Sequence, residues 1–174
     1  MALEHLVDDA LTPIKLLLDI VPPLLRKRAA AALSAGDKLA TTAHLQALGL
    51  ELESLLLQLN ATIEGFLFLL ASRLKGKQVT AAYTKSGRAQ WLADLEIAFT
   101  FEGAKLSGWQ HVDVTRTDSN LLKHRLGIEF IPGTTTPLDI KKTVDLTEAI
   151  VLERFLGVRQ WMLQLVQSCK PLDQ

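Results

Sequence analysis

Leu45, Leu48, Leu52, Leu55, Leu59, Thr62, Phe66 and Leu69 follow one another at alternating steps of three and four residues. No other feature of the chain constrains its fold as strongly. A repeat of 3.5 residues keeps one seam of a helix turned toward a partner helix, so this stretch must be helical and must lie against another helix. Leu56, Leu57, Ile63, Leu67 and Leu70 widen the stripe beyond a bare seam, which implies more than one neighbour. Asp37 is placed to cap the start. An unbroken helix from Lys38 to Leu74 is about 55 Å long at 1.5 Å per residue. A compact globule of 174 residues is only about 40 Å across. Either Gly49 divides the helix or its overhang is covered, by a second copy of the chain or by an intramolecular hairpin with the first segment. A second copy is the expected cover, because closed symmetric dimers are the commonest oligomers. The expected interface is Leu45, Leu48, Leu52, Leu55, Leu59 and Phe66.

Before this stripe, Leu3, Val7, Ala10, Ile14, Leu17 and Val21 repeat at four-three spacing. Pro13 removes a backbone donor within that run and predicts a kink. Pro22 and Pro23 predict its end, followed by a short helix over 24–33 that Gly36 closes. After Gln78 the period changes. Ala93, Leu95, Ile97, Phe99 and Phe101 alternate with more polar residues, as in a half-buried strand. Trp109 to Thr117 is read as the return strand, and pairing Phe99 with Val112 and Ile97 with Val114 matches the two apolar faces. Val79–Tyr83 and Leu126–Ile131 complete a meander of about four strands. Asp145 and Glu148 give a D-x-x-E start signal for a last helix whose stripe is Val151, Phe155, Val158, Met162, Leu165 and Cys169. The expected fold is therefore α+β in a single domain over 1–174. Its parts are a helical part (1–75), an antiparallel sheet (78–131) and a C-terminal helix (145–169) packed back on the first helices.

Composition narrows function by exclusion. Lys+Arg and Asp+Glu both number 19, giving a formal net charge of zero, unlike proteins whose main task is to grip a nucleic acid backbone. One cysteine excludes a disulfide framework or a cysteine-rich metal module. Acids at Glu4, Asp8 and Asp9 are out of place in a secretory leader, so a cytoplasmic protein is expected. The apolar stretch 54–72 carries Gln58, Asn60 and Glu64, which argues against a membrane span. No Walker loop, dinucleotide fingerprint, nucleophile elbow or H-E-x-x-H occurs, so neither a cofactor nor a catalytic residue is expected.

Two charged groupings remain. On the expected sheet, Asp94, Glu96, Glu102, His111 and Asp113 share an acidic face with Trp109. His111 and Asp113 have the H-x-D spacing of two iron ligands, with His124 a nearby third, although a solvated polar face accounts for them more simply. Arg73, Lys75, Lys77, Lys85 and Arg88 form a turn-rich basic stretch free of acids. It suits an anion or an acidic partner, or serves only as a solvated helix end. The resulting expectation is a non-enzymatic interaction protein: a homodimeric adaptor, chaperone or assembly factor that docks a protein partner through a charged surface. A ligand-binding domain or small enzyme, with Trp91 or Trp161 in a pocket between sheet and helices, is the second reading. Binding of a nucleic acid or membrane surface through 73–88 is the third.

Overall fold

The computed structural model describes residues 3–75, 106–128 and 146–168. Among them are four helices and no strand. These are α1 (Leu3–Ser34), α2 (Lys38–Lys75), α3 (Trp109–Ile128) and α4 (Glu148–Ser168).

α1 and α2 form a hairpin. Gly36 takes φ +75°, a left-handed conformation that glycine adopts without steric cost, and so ends α1. The Ala40 amide then donates to Asp37 Oδ1 at 2.9 Å, the N-cap bond expected of that aspartate. α2 runs unbroken through Gly49 for 38 residues, about 57 Å by rise. α1 is likewise continuous through Pro13, Pro22 and Pro23, so the expected break after Val21 does not occur. Its buried stripe, Val7, Leu11, Ile14 and Leu18, keeps four-three spacing past Pro13. Packing of that stripe holds the helix where prolines remove backbone bonds.

α4 runs antiparallel to α1: Arg26 Nε meets Glu148 Oε1 at 2.6 Å, and Arg159 Nη2 meets Asp8 Oδ1 at 2.9 Å. α3 runs antiparallel to α4. The Ser107 amide donates to Gln164 Oε1 at 2.9 Å, and Asp118 pairs with Arg154, both largely shielded from water. The topology is thus up-down-up-down, a four-helix bundle. One core cluster joins Leu52, Leu55, Leu59, Ile63, Phe66, Leu67 and Leu70 of α2 to Val7, Leu11, Ile14 and Leu18 of α1. It also takes in Val112 of α3 and Val151, Phe155, Val158, Trp161, Met162 and Leu165 of α4.

The expected α+β meander is overturned at Trp109–Thr117, which is the first half of α3 rather than a strand. Alternation of Trp109, His111, Asp113 and Thr115 with Gln110, Val112 and Val114 imitates period two. The face that α3 buries is Val112, Thr115, Ser119 and Leu122, at steps of three, four and three. Two of those four positions are hydroxylated, so hydropathy alone does not reveal the helix. The proposed register fails with it, because Val112 and Val114 sit in a helix. The strand candidates 79–83 and 93–102 lie outside the described residues, as does 129–131; residues 126–128 belong to α3.

The start of α3 fits against α4 through glycine. Gly108 has φ +88°, and a Cβ there would lie 2.2 Å from the Gly157 carbonyl oxygen. A Cβ on Gly157 would fall 2.1 Å from the His111 ring. The two glycines allow a backbone approach that closes the Trp109–Trp161 ring pair, centroids 5.8 Å apart and tilted at 45°.

Candidate functional site

Core and overhang divide the hairpin. Between Leu24 and Glu51 only Ala29 is buried, whereas from Leu52 to Leu70 α2 buries most of one face. The far end of the hairpin therefore extends past the body that α3 and α4 complete. It presents Leu33, Leu39, Leu45 and Leu50 to solvent.

On one side of this projection the α2 seam continues without a cover among the described residues. Leu45, Leu48 and Leu52 keep the four-three spacing. α4 begins at Glu148, so among the described residues no fourth helix lies over the upper two positions. The result is an open groove of about 660 Å³. Its floor is Leu45, Leu48, Gly49 and Leu52 of α2, and its other wall is Leu146, Thr147, Ala149 and Leu152 at the start of α4. Thr147 caps that start, accepting a bond at Oγ1 from the Ile150 amide at 3.2 Å. At the rim, the Arg26–Glu148 ion pair links α1 to α4. A Cβ on Gly49 would meet nothing within 4 Å, so the bare backbone there adds to the depth of the groove.

The six residues of the expected dimer seam divide between these regions. Leu52, Leu55, Leu59 and Phe66 are enclosed by the chain's own bundle. Leu45 is exposed and Leu48 half-buried at the groove. The heptad thus finds its partners largely within one chain, through the hairpin and α4.

Among the basic residues, Arg73 and Lys75 fall in the last turn of α2, while Lys77, Lys85 and Arg88 lie outside the described residues. His111 and Asp113, two residues apart on a helix, point to different sides: His111 lies against Gly157 and Asp113 is exposed. His124 is thirteen residues further along α3, about 20 Å by helical rise. That distance takes His124 away from His111 and Asp113, and no metal-ligating cluster occurs among the described residues. Trp161 is fully buried in the core rather than in a pocket wall, and Trp91 lies outside the described residues.

α2 also contains a stretch, Lys38–Leu70, long and apolar enough to cross a membrane by length and composition; an 18-residue window within it has mean hydropathy 1.3 and is 44% buried inside the bundle. The core helix of a helical bundle meets the same criterion. Comparison of the chain with family models, curated proteins and solved structures gives no match. The groove was foreshadowed in the sequence by the heptad itself, which continues two positions beyond what a 21-residue α4 covers.

Proposed function

We propose that this chain is a non-enzymatic interaction protein that receives an apolar segment of a partner protein in the groove between α2 and the start of α4. One observation carries the reading: among the described residues, the leucine seam of α2 extends past the end of the bundle and stays open at Leu45 and Leu48. Helix-in-groove recognition uses such a floor, with anchors at three-four spacing entering a trough between two helices. The Arg26–Glu148 pair at the rim gives a polar edge that orients the incoming chain.

A photo-crosslinking residue at Leu45, with the same group at exposed Gln160 as control, tests this in cells. The expected product is one defined protein adduct at position 45, absent at 160. It disappears when Leu48→Glu puts a charge on the groove floor while circular dichroism shows the helices intact. An adduct that survives Leu48→Glu overturns the reading. So does recovery of a small apolar molecule from the purified protein that the same substitution displaces, because the groove would then be a ligand site.

A further inference from the structure

α1 carries a second apolar stripe. Pro13, Leu17, Ile20 and Leu24 repeat at steps of four, three and four, all on the exposed side of the helix, with Leu16 beside them. Ile20 is 59% exposed and Leu16 55%. The charges at the two ends of this stripe are opposite: Asp9 precedes it, and Lys27 and Arg28 follow it. All three are exposed, and none has an ion-pair partner among the described residues.

A helix face that is acidic at one end, apolar in the middle and basic at the other is complementary to itself when turned end for end. A two-fold axis level with Leu18 sets Leu16 and Leu17 against Ile20 of a second copy. It sets Pro13 against Leu24, and Asp9 against Lys27 and Arg28, with each contact made twice. A parallel arrangement would instead place acid on acid and base on base. We infer that the outer face of α1 is a self-association surface, occupied by α1 of a second copy running antiparallel. This rests on the reading of the chain as an interaction protein but uses a face separate from the groove, so each can fail alone.

Size sets the strength. Twenty residues of helix present a strip about 30 Å long and about 10 Å wide. Two such strips bury well under the roughly 1,200 Å² at which stable interfaces begin. The pairing is therefore concentration-dependent, in the class of transient contacts. It is also distinct from the Leu45–Phe66 seam, four of whose six residues the chain buries itself.

Sedimentation equilibrium over a wide concentration range tests this with the full chain. The expected mass rises from 19.2 kDa toward twice that value as concentration increases. Ile20→Glu, at an exposed position, holds the mass at the monomer value with helicity unchanged. Asp9→Lys alone, or Lys27→Glu with Arg28→Glu, weakens association about threefold to tenfold, the range for exposed ion pairs formed twice. Combining all three reversals restores it, because the ends are complementary again with signs exchanged. A monomer at every concentration overturns the inference, and so does a dimer indifferent to Ile20→Glu or unrestored by the triple reversal. A monomer that co-sediments with phosphatidylserine vesicles, and loses that with Ile20→Glu, also overturns it and assigns the face to a membrane surface. Crosslinking at Leu45 reads the groove independently of all these outcomes.

Discussion

Thr115 and Ser119 are fully buried on the inner face of α3, and neither hydroxyl has a hydrogen-bond partner among the described residues. A buried hydroxyl without a partner loses its bond to water and gains nothing in exchange. Thr115→Val keeps the shape of the side chain, and Ser119→Ala deletes only the oxygen. Each should stabilise the fold by about 1 kcal/mol, the usual scale for relieving an unpaired buried polar group. Urea unfolding followed by circular dichroism measures it. A fall in stability for both variants would mean that these hydroxyls hold bonds in solution, with water or with residues outside the described ones. The same two residues explain the misreading of the sequence at Trp109–Thr117. Polar oxygens on a core stripe erase the helical period that Val112 and Leu122 alone cannot carry. The alternating pattern that remains belongs to residues such as Asp113 and Val114, which are both exposed.

At the level of elements, α2 and α4 were legible because their stripes are apolar at almost every inward position. Val151, Phe155, Val158, Met162 and Leu165 of α4 are all buried. α1 was legible in period but only partly in phase: Val7 and Ile14 of the expected stripe are buried. Leu17 is exposed, while Leu11 and Leu18 are buried in its place, because a helix with apolar residues on two sides does not announce which side faces inward. The three prolines pointed to a break that packing overrides. Invisible to any pattern was the fit of α3 on α4 at Gly108 and Gly157, which depends on contact across separate helices. Gly157→Ala tests that fit. A mid-helix alanine gains about 1 kcal/mol of helix propensity over glycine. Its Cβ, however, would sit 2.8 Å from the His111 Cβ and closer still to the ring, so α3 must move. Overpacking of this kind costs typically 1–3 kcal/mol, and the net expectation is a destabilised protein with altered tryptophan fluorescence from the Trp109–Trp161 pair. Adding His111→Ala should return part of the loss. An alanine variant as stable as the parent would show that α3 and α4 are not in this contact.

Over the whole molecule, stability is distributed unequally along the hairpin. The stretch 52–70 of α2 lies in the shared core, while among the described residues 38–51 has α1 beside it and meets α4 only at the groove, and Ala29 is the one buried residue in the segment from Leu24 to Glu51. Local opening follows burial, so this projecting end should open at lower free energy than the body. Hydrogen exchange read by mass spectrometry should therefore find fast amide exchange over 24–50 and slow exchange over 52–70, with the change falling inside the continuous helix α2. Equal protection along α2 would place a cover over the tip in the free protein and remove the reason to look for one. The groove and the projection make the same demand on a partner: a segment that lies on Leu45 and Leu48 extends the core upward and must slow exchange at the tip. The α1 contact makes a different demand. Centred on Leu18, it should protect the middle of α1 as concentration rises and leave the amides of 38–50 unchanged. The two surfaces thus separate in one experiment, because one occupant completes the bundle and the other only borders it.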